Sequence, residues 1–295
     1  DDDRGTRRRI VRVIIGGGGR NVTRVTFSRN INPRWNIGFN FRSILVDKAL
    51  RQRKGDRNVK SVYYDAYTSY KSKDSTYRLF LNFRRQQYGA DENGGINVAA
   101  GAPISDYFAA NARYNLTNAE SNERRINLHL YHQYNLFRKG IQLYHVLDRY
   151  SQGNKFNDRP GGSTFQFDWV NPSVIEDPNA TNIVVSDETK FKTFRNEAGV
   201  KGNLSKLFYN GYYAMRQFNM QYKYATPFTR VPLRGTEYYL GGRMALQLDS
   251  IGDVGAWAEL ESQGNYRLEG TIKSKWFEAD AVCTFISTAD LRGHA

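Results

Sequence analysis

The chain has 295 residues, 40% of them hydrophobic and 14% aromatic, and its mean hydropathy is −0.67. It contains no run of about 18 apolar residues, which excludes a membrane-spanning helix. Its 20 Tyr and 17 Phe provide too much apolar surface for a disordered basic tail. The single cysteine, Cys283, excludes a disulfide framework.

The net charge of +14 is concentrated in the first third of the chain. Residues 1–100 hold 21 Lys and Arg against 9 Asp and Glu, whereas residues 101–295 hold 22 against 20. A basic end of this kind can bind nucleic acid, anionic lipid or acidic solutes, or it can simply be a solvated surface.

A two-residue period of hydrophobicity predicts β-strands along the whole chain. From Trp35 to Arg42, for example, apolar side chains at odd positions alternate with polar or small residues at even positions. About fifteen strands are predicted, near residues 8–15, 20–29, 35–42, 59–71, 77–84, 107–118, 126–131, 140–150, 165–169, 191–202, 206–225, 238–249, 253–260, 266–273 and 277–288.

The connections between these strands alternate between short and long. Short polar turns are predicted at Asn30–Pro33, Lys71–Asp74, Arg138–Gly140, Gly202–Asn203 and Ser262–Asn265. Longer polar connections are predicted at 46–58, 88–106, 151–162, 170–190 and 226–235. An up-and-down antiparallel meander produces this rhythm, and no composition break divides residues 1–295 into two domains.

Alternation alone does not separate a soluble sandwich from a membrane barrel. Two features favour the barrel. Aromatic side chains lie near the ends of the apolar faces, at Trp35, Tyr63, Tyr77, Trp169, Tyr238, Tyr266 and Trp276, as in the aromatic girdles of membrane barrels. The opposite faces carry charges that suit a water-filled lumen, and by strand alternation the candidate pore-lining residues are Arg42, Arg78, Arg84, Arg243, Arg267 and Lys273.

Three stretches of the first half carry a family resemblance. They are Asn32–Gly38 (NPRWNIG), Tyr67–Lys73 (YTSYKSK) and Glu92–Ile96 (ENGGI), of which the last is the most specific. Together with Leu128–Tyr134 (LHLYHQY) they resemble the putative porin family of Bacteroidota outer membranes. The match extends over about two-thirds of the chain.

The resemblance implies a transmembrane β-barrel of the outer membrane, with long extracellular loops, short periplasmic turns and a secretory signal that has been removed. Members of this family are longer than this chain, and many outer-membrane barrels end on an aromatic residue. Because this chain ends at Arg292–Ala295, we expect it to be part of a longer barrel.

No catalytic constellation or cofactor site is expected. Glu92–Gly95 lacks the regular spacing of a calcium loop, and Gly16–Gly19 is not followed by the Lys and Ser or Thr of a phosphate loop. His129 and His132 differ by three positions, so on a strand they face opposite sides and cannot share a metal. The histidines, which include His145 and His294, are too scattered for a ligand set, and Cys283 lies in an alternating strand.

Two basic clusters have alternative interpretations. Arg4, Arg7, Arg8, Arg9 and Arg12 can contact nucleic acid or lipid headgroups, but no nucleic-acid module signature accompanies them. Arg51, Arg53, Lys54 and Arg57 are interpreted as an exposed loop, which near lipopolysaccharide can bridge phosphates by its charge.

The sequence therefore predicts a passive channel of the outer membrane for small hydrophilic solutes, with a mild preference for anions and no enzymatic activity. Its partners are expected to be outer-membrane lipid and lipopolysaccharide, without nucleic acid. A first alternative is a non-conducting accessory or structural barrel, with protein partners, in a secretion or nutrient-uptake assembly. A soluble all-β protein that binds carbohydrate or nucleic acid is the second alternative.

Overall fold

β-Strands make up nearly all of the part of the chain that the structure describes. This computed structural model describes residues 8–16, 20–47, 57–92, 94–98, 101–107, 113–114, 116, 119–137, 140–158, 185–223, 232–248 and 252–286. The elements are β1 (Arg8–Gly16), β2 (Arg20–Asn32), β3 (Trp35–Asp47), β4 (Arg57–Lys71), β5 (Tyr77–Glu92), β6 (Ile96–Asn97), α1 (Ile104–Tyr107), β7 (Arg113–Tyr114), β8 (Ala119–Phe137), β9 (Ile141–Asp158), β10 (Val185–Leu204), β11 (Leu207–Lys223), β12 (Leu233–Leu248), β13 (Gly252–Glu261), β14 (Tyr266–Ser274) and β15 (Glu278–Phe285). Within these residues no helix is long and apolar enough to cross a membrane.

Thirteen of the strands form one antiparallel sheet in which each strand pairs with its neighbours in sequence. The order is β1–β2–β3–β4–β5–β8–β9–β10–β11–β12–β13–β14–β15, so β1 and β15 are the edge strands. β6 and β7 pair separately, within the connection from β5 to β8. The predicted up-and-down meander is confirmed.

The connections differ between the two ends of the sheet. At one end, here called the short end, they join residues 32 to 35, 71 to 77, 137 to 141, 204 to 207, 248 to 252 and 274 to 278. At the other, the long end, they join residues 16 to 20, 47 to 57, 92 to 119, 158 to 185, 223 to 233 and 261 to 266. Four of the six connections at the long end are longer than any at the short end, as the predicted alternation of short and long connections requires, whereas those from 16 to 20 and from 261 to 266 are short.

Several predicted boundaries are wrong, most clearly in β9. Residues 151–158, predicted as loop, continue β9 to Asp158 and pair with β8 and β10. They are polar at nearly every position, so they lack the alternation on which the prediction depended. The turn predicted at Gly202–Asn203 lies later, at Ser205, which has φ of 55°. The strand predicted at 165–169 lies outside the described residues.

The β4–β5 turn at the short end is held by one carboxylate. Asp74 accepts hydrogen bonds from the Ser72 hydroxyl at 2.5 Å, the Thr76 hydroxyl at 2.8 Å and the Thr76 N–H at 3.2 Å. These bonds lower the pKa of Asp74 to about 2, because they stabilise its charged form. The turn therefore keeps its charge-assisted bonds well below neutral pH.

The pairing register divides the side chains of the sheet between two faces. On one face, here the apolar face, Phe39 pairs with Ala66, and the row continues through Phe83 and Leu128. On the opposite, polar face, Asn40 pairs with Asp65, which pairs in turn with Arg84. The segregation follows from the alternation read in the sequence.

Alternation in the sequence predicts the wrong face for one aromatic residue, Tyr63. Tyr63 pairs with Arg42 and lies on the polar face, whereas Tyr64 lies on the apolar face, where its ring contacts Phe41 at 5.3 Å between centroids. Two consecutive tyrosines make the phase of a strand ambiguous in sequence. Of the other predicted girdle residues, Trp169 lies outside the described residues.

The polar face lies on the concave side of the sheet, because its side chains contact one another over intervening strands. Its side chains reach over intervening strands: Lys201 of β10 donates to the Tyr131 hydroxyl of β8 at 2.6 Å. The buried cluster also lies there, formed by Tyr144, Tyr212 and Ala214. On the apolar face, by contrast, Phe39 is 38% exposed and Leu246 is 41% exposed. A soluble sandwich would bury these residues, so the apolar face is the outer surface of the sheet.

Three tyrosines of the polar face lie over glycines directly opposite them on the next strand. Tyr67 covers Gly38, Tyr144 covers Gly199 and Tyr212 covers Gly241. A Cβ on Gly199 would lie 2.5 Å from the Tyr144 ring, closer than packing allows. The missing side chain thus lets the ring lie flat against the neighbouring strand.

Gly199→Ala should therefore destabilise the sheet by about 1–3 kcal/mol, because the buried Tyr144 ring must shift. The matched control is Gly211→Ala on the adjacent strand, where an added Cβ meets no atom within 4 Å. Denaturant unfolding of both variants in detergent, followed by tryptophan fluorescence, measures the difference. Equal stability of the two variants would contradict this role of the glycine.

Candidate functional site on the polar face

All six cations predicted to line a pore lie on the polar face. The register pairs Arg42 with Tyr63, Arg78 with Lys71 and Gln133, Arg84 with Asp65, Arg243 with Trp257, Arg267 with Glu259, and Lys273 with Asp253 and Glu278. The six are spread over four strands, β3, β5, β12 and β14, rather than gathered in one place. They mark a surface, not a pocket.

One of these cations, Arg42, belongs to a row of arginines that sequence analysis missed. Arg12 of β1 pairs with Arg24 of β2, and Arg24 pairs with Arg42 of β3, so three guanidinium groups lie on consecutive strands of one face. All three are exposed, and none forms an ion pair within the described residues. Arg42 contacts the Tyr63 ring, with Cζ 5.6 Å from the centroid. We call Arg12, Arg24 and Arg42 the arginine row.

Like charges directly opposite each other on paired strands repel, which makes such a row costly unless water or anions surround it. The signal for it was present in the sequence. The turn at Pro33 sets a register in which Arg24 lies opposite Arg42. This pairing can be predicted only if the exact residues of the turn are known.

Two other predicted cations meet around an aromatic ring. Arg243 and Arg267 line a recess of about 410 Å³ over Trp257, together with Glu269 and Thr271. Arg267 lies over the Trp257 ring, with Cζ 5.5 Å from the centroid, and forms an ion pair with Glu269. The recess is therefore of mixed charge.

Of the remaining cations, two have carboxylate partners. Arg84 lies 3.7 Å from Asp65, and Lys273 lies 3.3 Å from Glu278. Arg78 lies opposite Lys71, near the short end, and forms no ion pair within the described strands. The predicted residues thus differ in how much of their charge is free to act on a solute.

A network of charged and tyrosine side chains covers the polar face from β9 to β13, and sequence analysis did not identify it. Arg195 donates to Glu197 at 2.9 Å and to Glu259 at 3.4 Å. Tyr144 donates to Glu197 at 3.1 Å, and Tyr212 donates to Glu259 at 2.7 Å. A single arginine thus links β10 to β13 across two strands.

A second arginine extends this network. Arg216 donates to Glu237 at 2.5 Å, and the Tyr239 hydroxyl donates to the same carboxylate. Arg195 and Arg216 both lie over the Tyr239 ring, at 5.3 and 5.6 Å from its centroid. Apart from the bond between Tyr239 and Glu237 on β12, these contacts join different strands, so alternation within one strand gives no sign of them.

Charge on the polar face is divided along the sheet. In β1–β5 the described cations outnumber the described anions: Arg12, Arg20, Arg24, Arg42, Lys71, Arg78 and Arg84 against Asp65 and Glu92. In β10–β15 the anions predominate: Asp187, Glu197, Glu237, Asp253, Glu259, Glu261, Glu269, Glu278 and Asp280 against Arg195, Lys201, Arg216, Arg243, Arg267 and Lys273. The positive field expected of the whole wall is therefore confined to β1–β5.

The histidines divide between the faces as predicted. His129 contacts Asp148 at 2.6 Å on the polar face, whereas His132 contacts His145 at 3.0 Å on the apolar face. The His132–His145 pair lies across a hairpin and was not foreseen. Among the described residues no group of three His, Cys, Asp or Glu is placed to hold a metal.

The other candidate segments are only partly described. Gly94 and Gly95 have positive φ, of 61° and 89°, as expected of a glycine turn. Residues 51–56 of the second basic cluster and residues 4 and 7 of the first lie outside the described part of the chain. Cys283 is exposed and lies on the apolar face opposite Leu268.

Comparison with known proteins identifies both family and fold. The sequence profile of a family described as "Putative porin" matches residues 11–289. A search of curated proteins gave no match.

Two solved structures are similar to this chain. The ferric yersiniabactin uptake receptor FyuA of Yersinia pestis superimposes with a TM-score of 0.57 at 10% identity, over 95% of this chain and 43% of the receptor. The ferric-catecholate import receptor Fiu of E. coli K12 superimposes with a TM-score of 0.53 at 12% identity, over 97% of this chain and 47% of the receptor. The chain spans less than half the length of each receptor. At these identities the likeness shows the fold alone.

Proposed function

Because this chain belongs to the putative porin family, we propose that its polar face lines a water-filled channel for the passive diffusion of small hydrophilic solutes. The protein is an outer-membrane β-barrel. The observation that carries the proposal is the segregation of side chains over thirteen strands, apolar on the convex face and polar on the concave face. A channel needs this arrangement, because one face meets hydrocarbon and the other meets water.

We further propose a mild preference for anions, which originates at the arginine row. Arg12, Arg24 and Arg42 carry charge that no carboxylate in the described residues neutralises. Such a field raises the local concentration of anions along that part of the wall. The acidic side of the face, on β10–β15, opposes it and keeps the preference mild.

Planar-bilayer recording of the full-length protein tests this function. The channel predicts discrete open steps, and in a salt gradient it predicts a reversal potential displaced toward the equilibrium potential of the anion. An inert protein that co-purifies with a partner would contradict conduction, whereas open steps with clear cation selectivity would contradict only the assignment to the arginine row.

The network around Arg195 favours a second candidate, a non-conducting accessory or structural barrel of a larger outer-membrane assembly. Lys201, Arg195 and Tyr212 reach over neighbouring strands, so part of the concave space is filled by side chains. A lumen blocked in this way would stabilise the barrel without passing solute. The same recordings distinguish the two functions, since this candidate predicts no open steps.

A further inference from the structure

Four exposed cations lie on the apolar face, just beyond its last apolar side chains at the long end. On each of four adjacent strands, the outward residue that follows the last apolar one is basic. Arg85 follows Phe83 on β5, Arg124 follows Ile126 on β8, Arg149 follows Leu147 on β9, and Lys192 follows Phe194 on β10, each two positions closer to the long end. We call these four residues the outer cation row.

The row is confined to one end of the sheet. At the short end of the same four strands, the corresponding outward residues are uncharged, namely Tyr77, Tyr134, Leu143 and Val200. Cations that only stabilised the barrel at a membrane surface would suit both ends. A row at the long end alone fits a membrane whose two leaflets differ in headgroup charge.

The charges of this row are not neutralised by any residue that the structure describes. None of the four cations forms an ion pair or hydrogen bond in the described part of the chain. Their neighbours in sequence differ: Arg84 lies 3.7 Å from Asp65, and Arg125 lies 2.5 Å from Glu123, both on the polar face. In each of the consecutive pairs Arg84–Arg85 and Arg124–Arg125, therefore, the inward arginine has a carboxylate partner, whereas the outward arginine has none among the described residues.

The spacing of the row suits ligands that carry phosphate. Arg85 lies directly opposite Ile126, so Arg124, two residues away, is its diagonal neighbour, at about 7–8 Å. Arg149 and Lys192 have the same diagonal relation across β9 and β10. Two cations at this separation repel each other when no anion is bound, and both can contact one phosphate group that lies between them.

We propose that the outer cation row binds the phosphate groups of an anionic lipid in the leaflet at the long end, namely the lipid A portion of lipopolysaccharide. The acyl chains would lie along Phe83, Ile126, Leu147 and Phe194, and the phosphates would meet the four cations. This proposal rests on the outer-membrane barrel and not on conduction, so it stands or fails separately from the channel.

Lipid binding to the full-length protein in detergent tests the proposal. The probes are lipid A, phosphatidylcholine as a neutral lipid and inorganic phosphate, and bound lipid is counted by native mass spectrometry over a titration. The wild type should bind lipid A in preference to phosphatidylcholine. R85Q/R124Q/R149Q/K192Q should weaken lipid A binding by more than tenfold, because each cation near a membrane surface contributes about fivefold.

The matched control is R84Q/R125Q, which removes adjacent arginines that face inward and should leave lipid A binding within about twofold of the wild type. If the quadruple variant fails to fold, R85Q/R124Q and R149Q/K192Q each test half of the row. Unchanged lipid A binding in the outward variants, an equal loss in the inward control, or binding of inorganic phosphate without lipid A would overturn the proposal.

Discussion

Replacing both Arg24 and Arg42 with glutamine should remove most of the anion preference of the channel. These residues form two of the three members of the arginine row, and no carboxylate in the described residues offsets their charge. Without them the acidic side of the polar face, on β10–β15, dominates the field. The ratio of anion to cation permeability should fall by about twofold, to a value close to one, because the field that concentrates anions along this part of the wall is lost.

Reversal potentials in a salt gradient measure this ratio. The effect should shrink at high salt, because the Debye length falls to about 3 Å at 1 M. R85Q/R124Q is the matched control, since it removes the same charge from the apolar face and should leave selectivity unchanged. A similar change in both variants would show that total charge, and not the wall of the lumen, sets the preference.

Arg195→Met should lower the stability of the barrel by about 2 kcal/mol. The arginine joins Glu197 to Glu259, and both carboxylates are largely shielded, with 16% and 19% of their side chains exposed. Removal of the cation leaves two carboxylates close together without compensation, which costs more than the ion pairs contribute. The expected loss lies below the about 3–5 kcal/mol typical of fully buried pairs because the Arg195 side chain keeps 28% exposure.

Arg267→Met provides the comparison, because Arg267 and Glu269 have the same spacing on one strand but the arginine is 53% exposed. Its loss should cost about 0–1 kcal/mol. Denaturant unfolding in detergent measures both variants. A double variant, R195M/E259Q, should recover part of the loss because it removes one unpaired carboxylate. If R195M and R267M unfold at the same denaturant concentration, the network does not stabilise the sheet.

Alternation within a strand was enough to predict the strands and their two faces. Trp35 to Arg42 fixes a strand and its phase, since every second residue is apolar and hydrocarbon accepts only one face. It fails where both faces meet water. Residues 151–158 are polar on both sides because they extend beyond the apolar band, and they were interpreted as loop although they continue β9.

The candidate site could be predicted only in part. The phase of each strand placed Arg42 and Arg243 on the polar face, but it says nothing about which residues lie side by side. That depends on register, which the turns set. For this reason the pairing of Arg24 with Arg42 and that of His132 with His145 were missed, and so was the link from Arg195 to Glu259 over two intervening strands.

The strictly sequential pairing of the sheet also bears on how the chain assembles. The order of strands in the main sheet is their order in the chain, with only β6 and β7 left out. Each step of assembly therefore adds a strand that is already close along the chain. Loop closure between such neighbours costs little entropy, apart from the two connections from 92 to 119 and from 158 to 185. The sheet can therefore form one hairpin at a time, and closure of those two long connections should be the slowest part of its assembly.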